Sequence, residues 1–181
     1  MNKRTPLLTL VVLSVVLVVL SACTAAVQPP DRDIEISTEA ALTAQNALMG
    51  ALATFSVTLS ESEFSSFLTK GLEANSGPNQ PIDTVMVWVE PDALHFRVTL
   101  KDGVSMPMVG NSMDLVGNLM FSDGHLMVDL QQAGAGPFAV GGAMLGPVNA
   151  QINAVLAANI PMLPFDVNIS QDSGSLMLSM Q

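Results

Sequence analysis

The stretch that decides the fold is residues 82–101, which read IDTVMVWVEPDALHFRVTLK. From Leu94 to Leu100 apolar and polar side chains alternate strictly, which is typical of a strand that buries one side. Glu90-Pro91-Asp92 interrupts the apolar pattern and predicts a turn between two strands. The stretch therefore predicts an antiparallel strand pair in a sheet with one buried face.

Helical patterns precede this strand pair. We predict a helix from Ser37 or Thr38 to about Ala53, a short strand over residues 55–59 and a second helix to about Ala74. Ser60 and Glu63 have the spacing of a capping box at the start of the second helix. We interpret Glu61 and Glu63 as acids of the first helical turn, where the helix dipole favours them, and not as a catalytic pair.

Further strands and one more helix are predicted after the pair. Ser122-Asp123-Gly124 marks a hairpin, and Gly117 in the strand before it permits a bulge. The Gly-rich residues 131–146 fit either a flexible segment or the start of a helix, and Pro147 suits the first position of a helix to about residue 158. A second hairpin, over residues 165–180, closes the chain. This order of elements predicts an α+β domain.

Composition limits the classes of function. The 181 residues carry 16 acidic side chains and six basic ones, for a net charge of −10, so a nucleic-acid partner is not expected. One cysteine excludes an internal disulfide. Twelve methionines and only 4% aromatic residues indicate an aliphatic, adaptable interior.

The N-terminus carries an export signal. Basic Lys3 and Arg4 precede an apolar run to Leu20 that is short for a spanning helix, and small residues lead to Cys23. The segment resembles a bacterial lipoprotein signal. The resemblance implies that Leu20, Ser21 and Ala22 are recognised for cleavage and that Cys23 carries a diacylglyceryl anchor. We therefore expect a signal peptide over 1–22, a lipidated cysteine and solvated tether over 23–33 and one domain over 34–181.

That anchor predicts a place in the cell. The protein is expected in the cell envelope, bound to a membrane through lipidated Cys23. Thr24, with no aspartate after the cysteine, suits the outer membrane where two membranes are present. An uncleaved membrane helix is the less favoured alternative.

The order of elements also resembles the tubular lipid-binding domains of envelope proteins. The residues that carry this resemblance are 57–63 before an aromatic helix, Asp123-Gly124, and the Pro161 to Pro164 break before the last hairpin. It implies a strongly curved antiparallel sheet wrapped around a long helix in a single lobe, with a groove for a lipid or fatty-acyl ligand. The candidate groove-lining residues are Leu42, Met49, Leu52, Phe64, Leu68, Leu94, Phe96, Val98, Leu115, Leu119, Val128, Ile152, Val155 and Leu156.

Other functions remain open. The same apolar residues suit a filled core, so the alternative is a structural or adaptor lipoprotein whose acidic surface meets an envelope protein partner. No catalytic residue, metal site or cofactor is predicted. His95 and His125 are interpreted as ordinary solvated histidines. The thioethers of Met106, Met108 and Met113 are interpreted as packing groups or as a membrane-facing rim, and not as copper ligands.

Overall fold

The structure is a computed structural model. It describes residues 27–54, 56–75, 80–104, 110–135, 138–139 and 145–180, with the backbone alone at 52, 53, 135, 138 and 139. The predicted lipoprotein signal, including Leu20, Ser21, Ala22 and Cys23, lies outside the described residues. None of the described helices is long and apolar enough to cross a membrane.

The described residues form three helices and two antiparallel sheets, which confirms the α+β class. The elements are α1 (Thr38–Thr54), β1 (Ser56–Ser60), α2 (Glu61–Asn75), β2 (Ile82–Val89), β3 (Leu94–Leu100), β4 (Ser112–Ser122), β5 (His125–Ala135), β6 (Phe138–Ala139), α3 (Leu145–Asn159), β7 (Val167–Asp172) and β8 (Ser175–Met180). One sheet has the order β2-β3-β4-β5-β6, and the other has the order β1-β8-β7. The expectation of one sheet around a single long helix is not confirmed.

Local sequence signals set most of the boundaries. Ser37 is the N-cap of α1, because its hydroxyl accepts a hydrogen bond from the N–H of Ala40 at 3.1 Å. The capping box at α2 is confirmed: the Glu63 carboxylate accepts the N–H of Ser60 at 2.8 Å, and the Ser60 hydroxyl accepts the N–H of Glu63 at 3.3 Å. Residues 131–135 of the Gly-rich region continue β5. They are therefore neither the flexible segment nor the start of a helix that the sequence had suggested.

The two predicted hairpins are confirmed. Asp123 and Gly124 connect β4 to β5 with φ values of 52° and 80°, which is the backbone of a tight two-residue hairpin loop. Between Val116 and Gly117 the register of β4 against β5 shifts, as expected for a bulge. A Cβ atom at Gly117 would collide with the backbone carbonyl of Asp129, so the close approach of the two strands there requires glycine.

Helix side chains cover two edges of the five-stranded sheet, namely β2 and the part of β5 before Gly134, with which the two-residue strand β6 does not pair. On α2, the hydroxyl of Thr69 bonds the N–H and carbonyl of Val85, both at 3.0 Å, and Ser65 bonds Val87 in the same way. On α3, the amide of Asn153 bonds the N–H of Val128 at 2.7 Å and its carbonyl at 2.9 Å. These side chains take the place of a neighbouring strand and protect β2 and β5 from pairing with another chain.

Candidate functional site

An apolar cleft opens where the three-stranded sheet meets α1 and the segment that follows α3. Its wall is formed by Leu48 and Ala51 of α1, by the paired ends of β1 and β8, and by residues 160–165. Among the described residues, the lining is Leu48, Ala51, Ser56, Val57, Leu126, Ile160, Pro161, Leu163, Phe165, Val167, Leu178, Ser179 and Met180. Apart from the hydroxyls of Ser56 and Ser179, these side chains are apolar and none of them is charged, so the described wall suits hydrocarbon.

The free volume of the apolar cleft is about 40 Å³. An engineered apolar cavity that binds benzene is about 150 Å³, so the cleft in this conformation admits one end of a hydrocarbon chain and not a whole tail. Residues 160–165, which form neither helix nor strand, make one side of the cleft, and Leu163 donates its N–H to the carbonyl of Gly124 at 2.9 Å. Met162 in this segment is 66% exposed and extends the apolar surface beyond the cleft.

A second, roomier depression lies among the three helices. It has a free volume of about 290 Å³, and its lining includes Leu42, Phe67 and Gly71. Thr38, Gln45, Lys70 and Asn159 also line it, so its wall mixes apolar groups with polar ones. The apolar cleft is therefore the better site for a wholly apolar ligand.

Most of the candidate groove residues belong to the packed core. The buried members are Phe64, Leu68, Leu94, Phe96, Val98, Leu115, Leu119, Val128, Ile152, Val155 and Leu156, which join one continuous core cluster. Leu42 and Met49 are instead 54% and 53% exposed on α1, and the side chain of Leu52 lies outside the described residues. The candidates whose side chains the structure describes thus lie in two places, and none of these lines the apolar cleft.

Periodicity could not reveal the residues that do line the cleft. Regular patterns identify the buried face of an element, whereas this wall comes from element ends and from an irregular segment. The available signal was the run Met162-Leu163-Pro164-Phe165, in which apolar side chains accompany a helix-breaking proline. Apolar residues in a segment without periodicity indicate surface that no regular packing covers.

A second cluster ties the N-terminal segment to the domain, and we call it the Arg32 latch. The guanidinium of Arg32 donates to Glu61 at 2.5 and 3.3 Å, forms an ion pair with Glu90 at 2.7 Å and donates to the hydroxyl of Ser173 at 3.2 Å and the carbonyl of Val89 at 3.3 Å. The hydrogen bond with Glu61, supported by Glu90 and opposed by partial burial, raises the pKa of Arg32 above its ordinary value. Arg32 is therefore held against the domain. The sequence had suggested that this charged residue belongs to a solvated tether, and the contacts of its side chain show otherwise.

The backbone next to Arg32 is also fixed. The indole N–H of Trp88 donates to the carbonyl of Arg32 at 2.9 Å, and Trp88 is only 4% exposed. Farther along, the N–H of Glu35 donates to Ser62 at 3.2 Å and the N–H of Ser37 donates to Ser66 at 3.0 Å. Residues 32–37 therefore run along α2 as part of the domain.

Glu61 has a different role from Glu63. Only 8% of Glu61 is exposed, and its carboxylate also accepts the N–H of Val89 at 2.8 Å. The interpretation of both acids as first-turn helix caps is correct for Glu63 and incomplete for Glu61. Because Val89 ends the edge strand β2, Glu61 joins the start of α2, the end of β2 and the N-terminal segment at one point.

The remaining candidate groups from the sequence include His95 and three methionines. His95 is half-buried, and its Nδ1 atom is buried without a hydrogen-bond partner, so it is less solvated than the sequence suggested. Met113 is buried in the core, while Met106 and Met108 lie outside the described residues. Within the part of the chain that the structure describes, no three His, Cys, Asp or Glu side chains are grouped to hold a metal ion.

Comparison with known proteins leaves the assignment to the structure. No protein-family model matches the chain, and no curated protein matches it significantly.

Proposed function

We propose that this chain is a membrane-anchored lipoprotein of the cell envelope, on the outer membrane where two membranes exist. It binds a lipid or another long apolar ligand for carriage or sequestration, without catalysis. The observation that carries the proposal is the open cleft whose wall is apolar apart from the hydroxyls of Ser56 and Ser179. An open apolar wall on a strongly acidic chain is the kind of surface that binds an apolar partner.

The ligand enters by its hydrocarbon end. The volume of about 40 Å³ accepts the end of a chain between β8 and residues 160–165, and the rest of the ligand lies over the exposed apolar surface at Met162. Deeper insertion requires residues 160–165 to move away from β8. Methionine side chains adapt to ligands of different shape, which suits this rim.

The tubular resemblance is retained in a modified form as part of the proposal. Helix α2 lies along β2, helix α3 lies along β5, and the two helices contact each other. A Cβ atom at Gly71 of α2 would collide with Val155 of α3, which reflects how closely they approach. We propose that the five-stranded sheet curves around this helix pair, which takes the place of one long helix.

Lipid extraction tests the proposal. Residues 24–181, exported without the anchor, are purified, and the bound lipid is extracted and measured by mass spectrometry. We expect lipid in stoichiometric amount, and we expect Ala51→Leu combined with Ser179→Leu to remove it by filling the cleft. Met177→Leu is the matched control, because Met177 is 42% exposed on β8 and does not line the cleft.

The second candidate function is a structural or adaptor lipoprotein with an envelope protein partner. The observation that favours it is the continuous core that contains most of the predicted groove residues. The acidic excess supplies a surface for a partner, since Arg32, Lys70 and Arg97 are already paired with carboxylates. If the extract of the unmodified protein contains no lipid, and no displaceable binding of a fluorescent fatty acid to the protein is found, this function is selected over ligand binding.

A further inference from the structure

We infer that the Arg32 latch fixes the orientation of the domain on the membrane and directs the end that bears the apolar cleft toward the bilayer. The inference rests on the proposed lipid anchor at Cys23, and it does not require that the cleft binds lipid. Three observations support it: the latch shortens the free tether, the latch and the cleft lie at the same end of the five-stranded sheet, and the opposite end could meet the bilayer only with the tether almost fully extended.

The first observation concerns the length of the tether. Arg32 contacts α2, the end of β2 and the turn between β7 and β8, so the chain is fixed to the domain at residue 32. Fully extended, the residues from Cys23 to Arg32 span about 30 Å. The bilayer surface must therefore lie within about that distance of the latch, and closer wherever the chain is not extended.

The second observation places the cleft at the same end of the sheet. Val89 and Leu94 face each other where β2 turns into β3, and Leu94 pairs with Gly117 of β4. Strand β4 continues from Gly117 to Ser122, so the hairpin between β4 and β5 extends beyond the latch at this end. Leu126 at the start of β5 lines the apolar cleft, and the carbonyl of Gly124 accepts the N–H of Leu163, which also lines it.

The surface at this end is apolar where it projects. Met120 and Met127 face each other across β4 and β5 and are 44% and 38% exposed. Met162, the most exposed of these methionines, lies against Gly124 in the hairpin turn. A bilayer matches this chemistry, because its headgroup region accepts adaptable apolar side chains.

The third observation concerns the opposite end of the sheet. The turn at Asp102 and Gly103 follows β3, and Lys101 bonds the carbonyl of Pro81, just before β2 begins. The length of β2 separates this turn from the latch by about 27 Å. Contact through the hairpin end, which extends about 17 Å beyond the latch, leaves the tether slack. Contact through the Asp102 turn would need an almost fully extended tether, which costs conformational entropy, so the hairpin end is the one nearer to the membrane.

Fluorescent labels on the lipidated full chain test the orientation. Cys23 is the only natural cysteine and its sulfur carries the anchor, so Ser122→Cys and Asp102→Cys each provide one free thiol. Both positions are exposed. In neutral phosphatidylcholine vesicles with a headgroup acceptor, we expect energy transfer to be at least about twofold more efficient from position 122 than from position 102. Equal transfer from the two positions would overturn the inference.

Opening the latch must remove that difference. We expect Arg32→Ala to bring the ratio of the two transfer efficiencies close to one, and Arg32→Lys to give an intermediate ratio, because lysine does not reproduce the bidentate contact. Lys70→Ala is the matched control, since it removes one charge from an exposed pair on α2 and leaves the latch intact. A ratio that stays unchanged in Arg32→Ala contradicts the role of the latch.

Trp88 reports on the latch independently of the membrane. It is the only tryptophan, and its indole bonds the carbonyl of Arg32, so acrylamide quenching of its fluorescence measures whether residues 32–37 stay bound. We expect the quenching constant to rise about twofold in Arg32→Ala and to stay unchanged in Lys70→Ala. An unchanged constant in Arg32→Ala shows that Arg32 does not hold the segment, which overturns the inference.

The outcomes separate this inference from the proposed function. A chain that yields no co-purified lipid but keeps the difference between positions 122 and 102 refutes ligand binding and supports the fixed orientation. Bound lipid together with equal energy transfer from the two positions supports ligand binding and refutes the fixed orientation. A full chain that does not partition into vesicles overturns both the anchor and the orientation.

Discussion

The Glu61 carboxylate accepts the backbone N–H of Val89 at 2.8 Å, although the two residues lie 28 positions apart. Glu61, Ser65 and Thr69 are four residues apart on α2, and their partners Val89, Val87 and Val85 are two residues apart on β2. Four helical residues rise about 6 Å, and two strand residues rise about 6.6 Å. The two repeats match, so one polar stripe on a helix satisfies the exposed edge of a sheet.

The two acids in the first turn of α2 are expected to differ in their contribution to stability. Glu61→Ala removes the partner of Arg32 and leaves the buried N–H of Val89 unsatisfied, so we expect a loss of about 2–4 kcal/mol in the free energy of unfolding. Glu63→Ala, the matched control, removes only the capping box and costs about 1 kcal/mol. Urea denaturation measures both. Equal losses would contradict the special role of Glu61.

The hydroxyl of Thr69 is expected to be essential at the edge of β2. Thr69→Val keeps the shape of the side chain but leaves the N–H and the carbonyl of Val85 without their partner, which costs about 1–3 kcal/mol. Thr43→Val on α1 is the control, since the Thr43 hydroxyl bonds only the preceding helical turn at an exposed position. The comparison is made by thermal unfolding, and a loss for Thr43→Val as large as that for Thr69→Val argues against edge protection.

Uncovering β5 is expected to promote self-association. Asn149→Ala combined with Asn153→Ala exposes backbone groups of Leu130 and Val128 that another strand can pair with. We expect light scattering during mild heating to begin at a lower temperature than in the unmodified protein. Gln132→Ala changes an exposed side chain on the same strand and leaves the edge covered, so its scattering curve should follow that of the unmodified protein.

Two glycines are expected to respond in opposite directions to alanine. Gly117→Ala places a Cβ against the carbonyl of Asp129 and forces β4 away from β5, with an expected loss of about 2–3 kcal/mol. Gly50→Ala on α1 meets nothing within 4 Å and should stabilise the protein by about 0.5–1 kcal/mol through helix propensity. Chemical denaturation measures the free energy of unfolding of the two variants. A Gly117→Ala protein as stable as the unmodified one would refute the close approach of β4 and β5.

The contribution of Arg32 should not depend on pH in the neutral and alkaline range. A cation whose pKa is raised by folding stabilises fully below its unfolded value and loses this effect only as the pH rises through the raised value. We expect Arg32→Ala to cost about 1–2 kcal/mol, after allowance for the screening of a side chain that is 35% exposed. The difference in unfolding free energy from the unmodified protein should stay constant between about pH 7 and pH 10, and a decline within that range would show that another group controls the latch.

Local sequence patterns predicted the elements better than the site. The alternation from Leu94 to Leu100, the Ser60 and Glu63 capping box and the Asp123-Gly124 turn each depend on neighbours in the chain, and all three are confirmed. The bulge at Gly117 could also be predicted from the sequence, because a glycine inside a strand often marks a bulge. The apolar cleft could not be predicted from such patterns, since its wall combines the ends of α1, β1 and β8 with an irregular segment.

The sequence by itself determined the α+β class, the turns, the helix caps and the acidic, aliphatic character of the chain, because these follow from side chains within a few positions of each other. Only the tertiary structure decided that Arg32 binds Glu61 and Glu90, that Thr69 and Asn153 complete sheet edges, and that Leu163 and Met180 line the same cleft. Charge, hydroxyl and amide groups have many possible partners in a sequence. Packing selects one of them, because burial makes an unpaired polar group costly.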